Sequence, residues 1–123
     1  MAHVLVIEDE VQIRDNLARF LRLEGHQVTV ARDGVEGLEA VHATHPDLVI
    51  CDFMMPRMHG FEVLAQLQAD TTLRRPAFIM VSASAEPERL QQALALGACA
   101  YVTKPFELAA LRELLARHLP GAT

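Results

Sequence analysis

Asp47-Leu48-Val49-Ile50-Cys51-Asp52-Phe53-Met54-Met55-Pro56 opens on one acid, runs through four apolar residues and stops at a second carboxylate, Asp52. A short run without polar alternation reads as a strand covered on both faces, Asp47–Cys51, as strands of parallel sheets are. Runs of the same kind recur at Val4-Leu5-Val6-Ile7 and Phe78-Ile79-Met80-Val81. With two weaker runs, the expected strands are His3–Ile7, Gln27–Val30, Asp47–Cys51, Ala77–Ser82 and Cys99–Thr103. Segments of helical period separate them. The first spans about Glu10 to Glu24, with Ile13, Leu17, Phe20 and Leu21 on one stripe and Gly25 as its stop. The second opens at Asp33, where Asp33 and Glu36 have capping-box spacing, and ends before Pro46. The others run from Gly60 to Ala69, from Pro87 to Leu96 with Gly97 closing it, and from Phe106 to His118, where Leu108, Leu111, Leu115 and Leu119 form a core stripe. Strands alternating with crossover helices predict an α/β fold: one doubly wound, five-stranded parallel sheet.

Composition agrees with one globular domain. The chain has 123 residues, 51% hydrophobic and 22% charged, which is well away from the balance of disordered chains. The expected organisation is one domain over residues 1–119 and a short tail, 120–123, with no output domain. The longest apolar run, Ala93 to Val102, falls short of the roughly 18 residues that a membrane span needs. The acidic N-terminus lacks the basic flank of a signal peptide, so the expected location is the cytoplasm, with no membrane partner. A net charge of −5 and the lack of any Lys/Arg-rich run argue against nucleic-acid binding. Cys51 and Cys99 lie in apolar stretches and read as small core residues.

In a doubly wound sheet, ligands bind beyond the carboxyl ends of the strands. The expected strands deliver Glu8-Asp9-Glu10, Asp52, Ser82 and Thr103-Lys104-Pro105 to that edge. An isolated Asp at a strand end is ordinarily a solvated carboxylate or a cap. With Glu8 and Asp9 beside it, Asp52 belongs to a crowd of like charges that resist joint ionisation unless a cation is present. All-oxygen ligands suit Mg²⁺, and no Cys/His set has zinc spacing. Ten of the eleven basic residues are Arg, and the sole lysine, Lys104, sits at this edge, offering a compact ammonium suited to an anion that changes shape during reaction. Ser82 reads as a hydrogen-bond donor to a bound oxyanion, with Ser84 as the candidate cap ahead of Pro87. Tyr101 reads as a half-buried strand aromatic with its hydroxyl toward solvent. The six histidines read as structural or solvent-facing, with His59 nearest the site, and Met54, Met55 and Met58 as loop packing.

The residues from Val4-Leu5-Val6-Ile7-Glu8-Asp9-Glu10, through Leu48-Val49-Ile50-Cys51-Asp52-Phe53-Met54-Met55-Pro56 and Gly60, to Gly97-Ala98 and Tyr101-Val102-Thr103-Lys104-Pro105-Phe106 together resemble the receiver domains of two-component response regulators. The resemblance implies a flavodoxin-like (β/α)5 fold with strand order 2-1-3-4-5. It implies Asp52 as phosphoacceptor, and Glu8 and Asp9 as an acidic pair holding Mg²⁺ together with Asp52 and the backbone carbonyl of Met54. Lys104 resembles the lysine that contacts the phosphoryl group, Ser82 the hydroxyl that turns toward it, and Tyr101 the aromatic that follows inward. Glu8 stands where Asp is commoner and Ser82 where Thr is more frequent. Met54 and Ser84 occupy positions that in this family help set the lifetime of the acyl phosphate. The implied function is that of a single-domain receiver, not a turnover enzyme, taking its phosphoryl group from a sensor histidine kinase or histidine phosphotransfer protein. It would then switch a surface of helix four, strand five and helix five toward an unidentified downstream protein. The alternatives are a phosphorylation-independent interaction module and an N-terminal receiver cut from a longer regulator. An aspartate-nucleophile phosphatase is disfavoured, because such enzymes carry a second acid where this chain has Met54.

Overall fold

Strands that are apolar at every position need cover on both faces, and the structure supplies it. The computed structural model describes residues 2–119; the expected tail, 120–123, lies outside the described residues. The elements are β1 His3–Ile7, α1 Val11–Leu23, β2 Gln27–Ala31, α2 Gly34–Thr44, β3 Leu48–Asp52, α3 Gly60–Ala69, β4 Ala77–Ser82, α4 Pro87–Ala95, β5 Ala100–Thr103 and α5 Leu108–His118. The strands form one sheet in the order β2-β1-β3-β4-β5, with every neighbouring pair parallel. Both the fold class and the strand order agree with the sequence reading.

Successive strand residues face opposite layers. Leu5, Ile7, Val49, Cys51, Phe78 and Met80 pack against Val41 of α2, Val63, Leu64 and Leu67 of α3, and Ala93 of α4. Val4, Val6, Leu48, Ile50, Ile79 and Val81 pack against Leu17, Phe20 and Leu21 of α1 and Leu111 and Leu115 of α5. Gly37 is required by close approach, since a Cβ there would collide with the Ile7 side chain.

The boundaries shift at several ends, each for a local reason. β3 starts at Leu48, one residue after Asp47, whose N–H still donates to the His3 carbonyl at 2.8 Å and whose carboxylate accepts from the His3 N–H at 2.9 Å and from Arg74 at 3.0 Å. It ends on Asp52, which pairs in register with Val81. β2 extends to Ala31, whose carbonyl accepts the Glu8 N–H at 3.0 Å. β5 starts at Ala100, after Cys99 has donated to the Phe78 carbonyl at 2.8 Å. Glu10 and Glu24 are caps outside α1, and Leu96 caps α4. α5 begins two residues later than expected: Glu107 is its extended N-cap, and Phe106 lies in the turn after β5, packed against the α1/α5 side of the core. Gly25 (φ +94°) and Gly97 (φ +111°) do close their helices, with the crossed hydrogen bonds of a left-handed stop. At α2 only half of the expected box forms. Asp33 accepts from the Glu36 N–H at 2.9 Å, whereas the Glu36 carboxylate reaches past Asp33 to the Arg32 N–H at 3.0 Å.

Candidate functional site

The parallel register brings the ends of β1, β3, β4 and β5 to one edge, and with them Glu8, Asp9, Asp52, Ser82 and Lys104. Asp52 is the last ladder residue of β3 and is followed by a Phe53 N–H that bonds to the Val81 carbonyl at 2.8 Å. One carboxylate oxygen from each of Glu8, Asp9 and Asp52 lies within 4.8 Å of the others. Glu8 and Asp52 are buried at 2% and 6% exposure, whereas Asp9 is exposed. Lys104 enters from the β5 end, where its N–H bonds to the Ser82 carbonyl at 2.8 Å. Its Nζ donates to Glu8 Oε1 at 2.9 Å and lies 3.1 Å from Asp52 Oδ1. The Lys104–Pro105 peptide is cis.

Burial in this charge-rich pocket sets the protonation. Glu8 is pushed up to about 7, first by burial and then by the Asp52 charge, against the restraint of its hydrogen bond from Lys104. Asp52 is raised in the same direction, again chiefly by burial with a contribution from Asp9, while Lys104 and a hydrogen bond with Glu8 oppose the rise. Burial alone would lower Lys104, but Glu8 and Asp52 hold its ammonium above the ordinary lysine value. Three carboxylates therefore face one ammonium. The set is all hard oxygen, and it remains short of positive charge, which is the chemistry that suits Mg²⁺ rather than a thiophilic ion.

Across the edge, the hydroxyls do something the sequence did not reveal. Ser82 is buried, and its Oγ accepts the Ser84 N–H at 3.1 Å. The Tyr101 hydroxyl donates to the Ser84 carbonyl at 2.7 Å, so it is tied to the β4–α4 loop rather than directed at solvent. Ser84 is not the helix cap either: Glu86 is, and the Ser84 Oγ accepts the Glu86 N–H at 3.3 Å one step upstream. Ser82 and Tyr101 thus meet through one intervening residue. Met54 stands two residues beyond Asp52, with its side chain 65% exposed. His59 is the N-cap residue of α3, and its ring lies 5.4 Å from that of Phe53, a structural placement. Beside the site, Ile13, Leu17, Phe20, Phe106 and Leu108 line an apolar groove of about 720 Å³ that Lys104 borders.

A family model described as the response regulator receiver domain matches residues 4–116. The chain belongs to that family. As a receiver it is 40% identical over 114 residues to the response regulator MprA of Mycobacterium sp. (strain KMS), covering 93% of this chain and 47% of that protein. The MprA of Mycobacterium avium (strain 104) matches at the same identity, with 48% of its length covered. The receiver thus spans about half the length of the curated relatives it matches. Among solved structures, chemotaxis protein CheY4 of Vibrio cholerae superposes with a TM-score of 0.90 at 32% identity, over 97% of this chain and 99% of that one. The signal receiver domain of a histidine kinase from Syntrophus aciditrophicus gives 0.88 at 28% identity, over 100% and 93%. Among the described residues, no helix is long and apolar enough to cross a membrane.

Three arginines near the receiver's edge escaped the sequence reading. Arg14 Nη1 donates to the Glu8 carbonyl at 3.2 Å, Arg89 lies 4.3 Å over the Phe53 ring, and Arg57 pairs with Asp33 at 2.6 Å. Only Asp33 carried any signal, as a cap.

Proposed function

We propose that this receiver accepts a phosphoryl group on Asp52 from a phosphohistidine, in a Mg²⁺-dependent step. The observation that carries the reading is the buried Asp52 carboxylate, fixed at the end of β3 with Lys104 Nζ at 3.1 Å and two further carboxylates within 4.8 Å. The P–O bond to Asp52 forms as the P–N bond breaks, and the departing imidazole keeps the electron pair and takes up a proton. Glu8, Asp9, Asp52 and the Met54 carbonyl would hold the ion. When bound it neutralises carboxylates and offsets charge on the phosphoryl oxygens. Asp52 supplies the nucleophilic oxygen, and its ladder position restricts the direction of attack. Lys104 supplies an ammonium at the same edge and exchanges part of its pairing with Glu8 and Asp52 for the incoming anion. Ser82 turns its hydroxyl from the Ser84 N–H toward the phosphoryl group. The Ser84 carbonyl then shifts, and Tyr101 is freed to move inward, altering the surface of α4, β5 and α5.

In this reading the chain is a phosphoacceptor rather than a turnover enzyme, and it works in the cytoplasm. Its donor is a sensor histidine kinase or a histidine phosphotransfer protein, and the altered surface meets a downstream protein. This role is open both to a receiver that acts alone and to the N-terminal receiver of a longer regulator; the chain spans 99% of CheY4 and about half of the MprA relatives. The test is intact mass after incubation with acetyl phosphate, with and without Mg²⁺, for the native chain and Asp52→Ala. An adduct of about 80 Da that needs both Mg²⁺ and Asp52 supports the proposal. A folded chain that gains no adduct, even with rapid quenching, moves the reading to an interaction module that works without phosphorylation.

A further inference from the structure

We propose that Arg57 is a positioning residue: its ion pair with Asp33 clasps the β3–α3 loop to the start of α2 and thereby fixes the main chain that carries the Met54 carbonyl. The consequence for metal affinity rests on the function proposed above; the clasp itself rests on geometry alone.

Three observations converge on it. Arg57 has φ +68°, the left-handed region, which a side-chain-bearing residue occupies only where its surroundings hold it there. Its Nε and Nη2 both donate to Asp33 Oδ2, at 3.1 and 2.6 Å. Asp33 Oδ1 meanwhile accepts the Glu36 N–H at 2.9 Å, so both oxygens of a carboxylate only 6% exposed are engaged, at a helix N-terminus that favours negative charge. Finally, the loop lies directly on α2. A Cβ at Gly34 would come within 2.8 Å of the Met58 Cβ and 2.9 Å of the Met58 carbonyl.

The loop is also held by the packing of Met55 and Met58 against the core and by ties at its own ends. The Gly60 N–H closes onto the Phe53 carbonyl at 2.9 Å, and the Met58 N–H onto the Pro56 carbonyl at 2.8 Å. Residues 54–57 lie in the arc that the Gly60–Phe53 bond closes, and the Arg57–Asp33 ion pair ties that arc to the start of α2. Its guanidinium makes no bond to Glu8, Asp9 or Asp52, so it acts through the backbone between itself and Met54. Groups bonded directly to a metal ligand change metal affinity by about 10–100-fold when removed, and a tie that acts through intervening backbone falls at or below the low end of that range.

The test uses Arg57→Ala and Arg57→Gly in the full chain. Arg57→Gly deletes the clasp while permitting the left-handed backbone without strain, which separates the ion pair from the conformation. Three quantities are read: Mg²⁺ affinity by calorimetric titration, amide exchange across residues 53–59 in EDTA, and the denaturation midpoint in EDTA. The expected result is Mg²⁺ binding about tenfold weaker in both variants, at the low end of such effects, with faster exchange across the arc. A purely structural role would lower the midpoint while leaving the Mg²⁺ affinity of the folded protein and the arc's exchange as in the wild type, and that result overturns the proposal. Faster exchange with unchanged Mg²⁺ affinity overturns the link to the metal. Failure of the wild type itself to bind Mg²⁺ refutes the proposed function instead, and the clasp then stands or falls on whether Arg57→Gly accelerates exchange in the arc.

Discussion

Replacing Asp52 by Asn should stabilise the metal-free protein, even though the change removes one partner of a buried ion pair. The sign follows from the distances. At an effective dielectric of about 20, charges 4.8 Å apart repel by roughly 3.5 kcal/mol, and Asp52 faces two such neighbours, Glu8 and Asp9. The attraction lost with Lys104, at 3.1 Å, is roughly 5 kcal/mol on the same scale. Solvent screens exposed Asp9, and Glu8, with its pKa raised to about 7, is partly neutral near that pH; both reduce the repulsion. The cost of burying Asp52's charge, the largest cause of its raised pKa, acts in the opposite direction and disappears in the Asn variant. The balance is a gain of about 1–2 kcal/mol, which for a domain this size raises Tm by roughly 4–8 °C. The assay is urea denaturation and a thermal scan in EDTA at pH 7.5, repeated with saturating Mg²⁺. The metal should shrink or reverse the gain, because Asn removes a ligand charge. A variant less stable than wild type in EDTA would refute the reasoning, since Lys104 pairing would then outweigh repulsion and desolvation together.

Stability of the metal-free wild type should fall as pH rises from 4.5 to about 7, because Glu8 binds its proton more tightly in the folded chain than in the unfolded one; denaturation in EDTA across that window checks it, using Glu8→Gln, in which this component should vanish. Tyr101→Phe should cost about 1 kcal/mol through the lost bond to the Ser84 carbonyl and speed amide exchange at Ser84 to Glu86, while Mg²⁺ affinity stays unchanged; unchanged exchange would remove the tether. Arg89→Ala should cost about 0.5–1 kcal/mol by uncovering the Phe53 ring, and a double-mutant cycle with Phe53→Leu should recover most of that as coupling.

Much of the fold was legible because the information lies in local pattern. Unbroken apolar runs such as Val4 to Ile7 specify strands with two covered faces, and Gly25 and Gly97 mark helix ends through a backbone geometry that other residues adopt poorly. The acid and lysine positions were legible for a related reason: a parallel sheet sends every strand's carboxyl end to one side, so residues distant in sequence can be grouped without knowing side-chain conformations. Hydrogen-bond direction was not legible. The Tyr101 hydroxyl reads as solvent-facing until the β4–α4 loop is placed, and Ser84 reads as a cap until the start of α4 is known to use Glu86. The arginines were hidden more thoroughly. Arg57 and Arg89 act through long, flexible side chains on partners 24 and 36 positions away, and neither periodicity nor spacing encodes such pairings.

The electrostatics of the metal-free edge bear directly on why the proposed chemistry needs an ion. A carboxylate nucleophile must be ionised, yet burial of Asp52 and the nearby acids favour its protonated form. Lys104 opposes that tendency but does not remove it, because its ammonium is shared between Glu8, at 2.9 Å, and Asp52, at 3.1 Å. A divalent ion held by Glu8, Asp9 and Asp52 would supply the positive charge that one shared ammonium does not, and an all-oxygen set suits such an ion. The burial that holds Asp52 at the end of β3 therefore also favours its protonated form, and the metal dependence proposed above rests on the same buried carboxylates that give the site its geometry.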